Sequence, residues 1–123
     1  MTDISILPAS LAVSEADLFG PLPDTGLRAG ADSGTPTTWT RVLLDAGPLN
    51  VGIWECTPGG WSITNRPTTE IVHILHGSAR LTDVSGEVRH LRAGSVCVLP
   101  MGWSGRWDID ETIRKVYVVV EGL

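Results

Sequence analysis

The stretch Glu70-Ile-Val-His-Ile-Leu-His-Gly77 decides the fold when it is taken with Gly94-Ser-Val-Cys-Val-Leu-Pro100-Met-Gly102. Each stretch contains a short run rich in β-branched and other apolar residues that stops at a glycine or a proline. Such runs predict β-strands, and the glycines and proline predict the tight turns that end them. The spacing of these fixed points therefore indicates a compact β-structure in which Glu70 begins one of the strands.

Further strands are predicted on both sides of these two stretches, at short and regular intervals from residue 39 onward. Many short strands separated by turn residues favour a sandwich or a barrel. The predicted strands cover residues 40–44, 50–56, 61–64, 69–75, 79–84, 87–91, 95–99, 106–109 and 112–120.

Residues 1–38 have a different composition, with four of the eight prolines and little periodicity. Ser14 and Asp17 have the spacing of a helix cap and predict one short helical turn. Apolar residues are too frequent here for a purely solvated tail, so we expect an arm that packs on the barrel or on a partner subunit. These residues are Leu7, Leu11, Val13, Leu18 and Phe19.

Composition bounds the class of protein. A chain of 123 residues with a net charge of −5 suits one domain, 39–123, preceded by the arm. No cluster of lysine or arginine predicts binding to nucleic acid or to an anionic membrane. The N-terminus lacks the basic start and apolar run of a signal peptide, and no segment has the length of a membrane span. We therefore expect a cytoplasmic protein whose Cys56 and Cys97 are free thiols rather than a disulfide.

Four segments in order resemble the cupin superfamily and, more specifically, the cupin domain class named after (S)-ureidoglycine aminohydrolase. The resemblance covers roughly residues 39–120. It implies an all-β, RmlC-like jelly-roll barrel of two antiparallel sheets, and commonly a homodimer. The segments are Trp54-Glu-Cys-Thr-Pro-Gly59, Glu70-x-x-His73-Ile-Leu-x-Gly77, Pro100-x-Gly102-x-x-Gly105-x-Trp107 and Glu111-Thr-x-Arg114-Lys-x-Tyr117.

The resemblance also shows which metal ligands are missing. Cupins usually have two histidines shortly before the glutamate and a third after the glycine–proline–glycine motif, which here ends at Gly102. In this chain Thr64 and Arg66 lie near the first two places and Gly105 lies at the third. The fixed charge of Arg66 opposes a metal and favours an anion, and Gly105 is expected to leave space. No cofactor is therefore expected. If manganese, zinc, iron or nickel does bind, Glu70 and His73 are the candidate ligands.

His73 joins Glu70 only if a bulge intervenes, because side chains three residues apart on a regular strand point to opposite faces. Its alternative place is the outer face or a dimer contact. Glu70 itself is the candidate catalytic residue, as a general acid or base. The structural alternative is an ion pair with Arg66, Arg114 or Lys115.

The candidate ligand-binding residues are Arg66, Glu70, Trp107, Lys115 and Tyr117. Trp107 is either a stacking platform or a core residue. Lys115 and Tyr117 share one face of the last predicted strand and Arg114 lies on the other, and periodicity leaves the inward face open.

Three functions follow from these patterns. The first is a small cupin that binds a small polar ligand of carboxylate or ureido type without the standard metal site. The second is a metal-dependent aminohydrolase similar to ureidoglycine aminohydrolase. The third is a non-catalytic binding or scaffold cupin. The expected partners are a small molecule and a second copy of the chain.

Overall fold

The computed structural model describes residues 8–123, so the first seven residues of the predicted arm, with Leu7, lie outside it. None of the helices in the described range is long and apolar enough to span a membrane. The elements are α1 Glu15–Phe19, β1 Asp24–Leu27, β2 Thr37–Asp45, β3 Leu49–Cys56, β4 Gly59–Ile63, β5 Thr69–Asp83, β6 Val88–Arg92, β7 Val96–Leu99 and β8 Gly105–Val120.

Two long strands, β5 and β8, form the backbone of the fold. They pair antiparallel over their whole length, from Thr69 opposite Val120 to Asp83 opposite Gly105. The register shifts between Ile74 and Ala79, which lets each strand bend and pass from one layer to the other. The sequence predicts two strands in each of these regions, so the predicted breaks at 76–78 and 110–111 are wrong: the chain bends there without leaving the sheet.

The bend divides the strands into two facing layers. One layer has the order β1-β2-β3-β8-β5-β7 and uses the C-terminal part of β8; the other has the order β4-β8-β5-β6 and uses its N-terminal part. All pairings are antiparallel. This arrangement is a jelly-roll cupin barrel, which confirms the predicted fold class.

Gly77 lies at the bend of β5, where only a glycine fits. Its φ is +86°, in the region that side chains disfavour, and a Cβ atom there would overlap the carbonyl oxygen of Thr112 on β8. The glycine that ends the first motif therefore permits the close approach of the two long strands.

The core lies between the layers and is apolar. Inward-facing residues of both layers supply it, as the two-residue period of a strand requires. Its buried members are Cys56, Trp61, Val72, Ile74, Ala79, Leu81, Leu91, Leu99, Trp107, Ile109 and Ile113.

The arm begins with the predicted helical turn: the Ser14 hydroxyl accepts a hydrogen bond from the backbone N–H of Asp17, which confirms the cap. Arg114, buried on the outer face of β8, binds the carbonyl oxygens of Leu18 and Gly20 at 2.8 and 2.7 Å. Further along, β1 pairs with β2, so the arm adds an edge strand to the sheet.

Residues 28–36, which join β1 to β2 and which we call the strap, run from one layer to the other. Ser33 forms a bridge with Gly60 of β4. Asp32 accepts two hydrogen bonds from Arg106 of β8, at 2.7 and 2.8 Å. The strap therefore connects the edge of the first layer with the edge of the second.

Candidate functional site

A cavity of about 250 Å³ opens between the two layers beside the strap. Inward-facing side chains of β2, β3, β4, β5 and β8 form its walls. The residues that line it are Arg28, Thr40, Trp54, Trp61, Ile63, Arg66, Glu70, Trp107, Lys115, Tyr117 and Val119.

Glu70 is the shared carboxylate of a buried ion-pair network. Its two carboxylate oxygens lie 3.0 Å from the Lys115 Nζ and 3.2 Å from the Arg66 Nη2. The side chains of Glu70 and Lys115 are only 8% and 9% exposed. A buried charge needs such compensation, and Glu70 receives it from two cations.

The last strand presents Lys115, Tyr117 and Val119 to the cavity. Arg114 lies on the other face, where it binds Glu55 at 2.9 Å and the arm. Of the two faces that periodicity leaves open, the structure therefore turns the Lys115 face inward.

Three tryptophans form the apolar wall of the cavity. Trp61 and Trp107 are paired across β4 and β8 with nearly parallel rings 6.4 Å apart, and Trp54 meets Trp61 edge-on at 6.2 Å. Lys115 Nζ lies 4.5 Å from the centre of the Trp54 ring and 4.9 Å from that of Trp107. These distances are those of cation–π contacts, so the rings help to hold the ammonium group.

Arg66 is held by a short loop before β5. Its backbone N–H binds the Trp103 carbonyl at 2.9 Å, and its carbonyl accepts from the N–H of Gly102 at 2.7 Å. The preceding Asn65 has a φ of +49°, a conformation that asparagine tolerates better than most residues. The Arg66 Nε atom is buried without a hydrogen-bond partner among residues 8–123. An unpaired buried donor costs stability, and because this atom is closed to solvent a ligand in the cavity would meet the terminal nitrogen atoms of the guanidinium instead.

Tyr117 lies against Gly52, where a Cβ atom would overlap the phenol ring. Burial is the main cause that raises the pKa of Tyr117, and the negative charges of Glu70 and Asp45 add to it. The phenol is therefore neutral at pH 7 and offers the cavity a hydrogen-bond donor and an acceptor.

Arg28 is the cavity residue that the sequence did not indicate. Arg28 lies in the arm, where no periodic pattern indicates which way a side chain points. The strap places it at the cavity, with its guanidinium carbon 4.8 Å from the centre of the Trp61 ring. Thr40, Trp54 and Trp61 were also not predicted as site residues. The sequence places Trp54 in a predicted strand. In the structure Trp54 is paired with Thr40 on one side and Lys115 on the other, and the side chains of paired residues lie on the same face of the sheet.

The histidines do not join Glu70. His73 is exposed on the outer face of β5, while Glu70, Val72 and Ile74 point inward. The register shift in β5 begins after Ile74, too late to turn His73. His76 lies 3.3 Å from Glu55 on the outside.

A divalent metal does not fit the side chains around Glu70. Hard and borderline cations require several anionic or neutral donors, whereas the neighbours of Glu70 are an ammonium and a guanidinium. Within residues 8–123 no three His, Cys, Asp or Glu side chains form a group that could hold an ion.

Gly105 does not leave the space that the sequence predicts. A Cβ atom there would overlap the Thr82 carbonyl oxygen and the Trp103 ring, so neighbouring atoms already occupy the place. The prediction of an opening at this position is wrong.

Both cysteines are free, as predicted. Burial raises the pKa of the Cys56 thiol to about 11, and Cys97, with a pKa raised by the same cause, is only partly buried. A thiol of high pKa is a poor nucleophile at neutral pH, so Cys56 serves as a core residue.

Comparisons with known proteins agree with this architecture. Residues 43–117 match the family described as the EutQ-like cupin domain. No curated protein matches the chain in sequence.

Solved structures share the fold at low identity. A protein of unknown function from Pseudomonas syringae pv. tomato str. DC3000, of the DUF861 family, is 21% identical with a TM-score of 0.76; the match covers 85% of this chain and 46% of that one. This chain thus spans about half the length of that protein.

The EutQ protein of Clostridium difficile is 18% identical with a TM-score of 0.62, over 70% of this chain and 69% of that one. The cupin domain of Schizosaccharomyces pombe Cnp3 is 16% identical with a TM-score of 0.60, over 68% and 64%. These likenesses concern the fold, and the match over residues 43–117 concerns the family. The chain therefore belongs to the EutQ-like cupin domain family of the cupin superfamily.

Proposed function

We propose that the protein binds a small carboxylate- or ureido-bearing molecule in the cavity, with Arg66 as the main polar contact and without a metal ion. The observation that carries the proposal is the guanidinium of Arg66 at the cavity wall, whose side chain is 15% exposed and which is held beside Glu70 and Lys115. A ligand carboxylate would accept hydrogen bonds from this guanidinium, and partial burial strengthens such charge-assisted bonds.

The charges around the cavity support an anionic ligand. Arg28, Arg66 and Lys115 line the cavity, and Glu70 is the acidic residue among its described lining residues. The cavity is therefore electropositive in a chain whose net charge is −5. Local potential rather than overall charge decides which ions a cleft collects.

The size and walls of the cavity limit the ligand to a small molecule. A volume of about 250 Å³ lies just below the range of roughly 300–1,000 Å³ that is usual for ligand pockets. Trp107 and Trp61 supply an apolar platform, and Tyr117 supplies a neutral hydroxyl for a second polar group. This open space also distinguishes the proposal from a purely structural barrel filled by side chains.

The metal-dependent aminohydrolase receives less support from the geometry. A metal at Glu70 would have to displace both Arg66 and Lys115, and His73 points away from the cavity. Glu70 keeps a role in which it orients the two cations. A proton transfer by Glu70 would require the ligand to take the place of one of them.

The proposal is tested by the affinity of acetate and N-carbamoylglycine, measured by isothermal titration calorimetry. In Arg66→Ala we expect the affinity of both probes to fall by about 10- to 100-fold, the value of one charged hydrogen bond. Arg92→Ala, which removes an exposed arginine outside the cavity, is the matched control and should bind as the unaltered protein does. Equal affinities in Arg66→Ala and Arg92→Ala would remove Arg66 from the site.

We also propose that the protein is a homodimer that joins through the outer face of β7, β5, β8 and β3. Two cross-strand rows of mostly apolar residues run over this face, and Ile71, Val96 and Val98 are 41%, 66% and 56% exposed. Contiguous exposed apolar surface is typical of an interface. The rows are Val98, Ile71, Val118, Val51 and Val96, His73, Val116; the next residue of the second row, Ile53, is already buried within the chain.

Sedimentation equilibrium tests the dimer. We expect twice the monomer mass at micromolar concentration, and at least about a tenfold weaker association in Val98→Asp, because a charge would be buried at the contact. Val84→Asp, at a 79% exposed position in the β5–β6 turn, is the control and should leave the mass unchanged. A monomeric mass at every soluble concentration would contradict the proposal.

A further inference from the structure

We infer that the ligand carries two anionic groups, as a short dicarboxylate does, and that Arg28 of the strap binds the group that Arg66 does not. This inference rests on the proposed function and extends it, because it names the class of ligand and adds a recognition residue from outside the barrel.

The ion pairs in the cavity leave Arg28 uncompensated. Arg66 and Lys115 both bind Glu70, so one carboxylate balances two cations. The guanidinium of Arg28 donates only to the backbone carbonyl of Ala29 and has no acidic partner among residues 8–123. The lining residues together therefore carry two positive charges in excess, and a dianion would neutralise the cavity where a monoanion would not.

The two arginines lie at opposite ends of one row of contacts. Arg28 lies over Trp61, which stacks on Trp107; Trp107 faces Lys115, which binds Glu70, and Glu70 binds Arg66. The two tryptophans thus lie within the series of contacts that runs from one guanidinium group to the other. Apolar methylene groups against these rings, with a carboxylate at each end, match this order of polar, apolar and polar surfaces.

The volume sets the length of the molecule. Because a water molecule takes up roughly 30 Å³ of liquid, a cavity of about 250 Å³ has room for on the order of eight water molecules, and covalently bonded atoms pack more closely than waters, so a molecule of about eight to ten non-hydrogen atoms fits. Succinate, glutarate and adipate fall in this range. Acetate fills less than half of it and can reach one arginine only.

The position of Arg28 depends on the strap, which the barrel holds from outside the cavity. Asp32 receives two hydrogen bonds from Arg106, and these bonds hold the pKa of Asp32 below its usual value. Asp32→Asn removes this ion pair without altering any group that lines the cavity. Asp32 is therefore a positioning residue for Arg28. Asp32→Asn tests the position of the Arg28 side chain, whereas Arg28→Ala tests its charge.

The test compares acetate, succinate, glutarate, adipate and inorganic phosphate on the full chain by isothermal titration calorimetry, with tryptophan fluorescence as a second readout. We expect at least one dicarboxylate to bind at least about tenfold more tightly than acetate, through the second charged hydrogen bond. Arg28→Ala should reduce the dicarboxylate affinity to the acetate level and leave the acetate affinity unchanged. Asp32→Asn should reduce the dicarboxylate affinity by a smaller factor, and Arg92→Ala should reduce neither.

The outcomes separate the two ideas. If acetate and the dicarboxylates bind equally and only Arg66→Ala weakens them, the dicarboxylate inference is overturned while the proposed function stands. If phosphate binds through Arg28 and the dicarboxylates do not, the ligand class is overturned. If no carboxylate binds to the unaltered protein, the proposed function fails and the inference fails with it. Thermal unfolding of each variant shows that a lost affinity is not lost folding.

Discussion

Gly77→Ala is expected to lower the free energy of unfolding by about 3 kcal/mol, a large fraction of the roughly 5–15 kcal/mol by which a typical domain is stable. Two costs combine in this substitution. A φ of +86° is unfavourable for a residue with a Cβ atom, by about 1 kcal/mol or more. The added methyl group would also overlap the Thr112 carbonyl, and forced overpacking costs roughly 1–3 kcal/mol. Urea unfolding followed by tryptophan fluorescence gives the value.

Gly86→Ala separates these two costs. Gly86 lies in the β5–β6 turn with a φ of +91°, but a Cβ atom there has no neighbour within 4 Å. Gly86→Ala has only the conformational cost, so we expect its free energy of unfolding to fall by about 1 kcal/mol. Equal losses in the two variants would show that the close approach of β5 and β8 at Gly77 contributes nothing to the requirement for glycine.

Lys115→Met is expected to lower the free energy of unfolding by about 3 kcal/mol, measured without ligand by the same urea titration. Methionine keeps most of the apolar stem and removes the ammonium group. Glu70, with a side chain only 8% exposed, then keeps Arg66 as its cation. Removing one partner of a buried ion pair is strongly destabilising, and here the carboxylate loses the nearer of its two cations and keeps only the Arg66 contact at 3.2 Å.

Two further variants control this result. Arg80→Ala breaks the ion pair with Asp110, whose side chains are 46% and 40% exposed, and should cost less than about 1 kcal/mol. The double variant Lys115→Met/Glu70→Gln should lose less than the sum of its single changes, because no buried carboxylate is left with a missing partner. Strictly additive losses would show that Lys115 and Glu70 do not stabilise each other.

The fold was predictable because its decisive features are local. The spacing of Glu70, Gly77, Gly94, Pro100 and Gly102 indicated the cupin barrel, and the family match confirms it. The continuity of β5 and β8 was not predictable from the same residues. In the sequence, Gly77 indicates the end of one strand, and Asp110 with Glu111 indicates the end of another. In the structure, the hydrogen bonds to neighbouring strands continue on both sides of these residues, so β5 and β8 stay in the sheet through the bend.

The candidate site was partly predictable. Glu70, Trp107, Lys115 and Tyr117 line one cavity because a strand's alternation fixes which side chains share a face, and Arg66 reaches the same cavity from the loop before β5. Their role in binding remains a prediction.

The inward face of the last strand was decided by what each face meets. Arg114 finds Glu55 and the carbonyl groups of the arm on the outside, and Lys115 finds Glu70 on the inside. Arg28 was missed because its position depends on tertiary contacts of the strap, which no pattern in residues 1–38 records.

The strap lies outside the region that matches the family, and this affects what substitutions in it can do. The region that matches the family begins at residue 43, whereas Arg28 and its supporting Asp32 lie before it. Substitutions in residues 28–36 can therefore alter which small molecule is retained while the aliphatic interior and the paired long strands stay as they are. If Arg28 binds the second carboxylate as we infer, exchanging residues 28–36 between homologous barrels should change the preference between monocarboxylates and dicarboxylates, while Arg66 of the barrel continues to bind the first carboxylate.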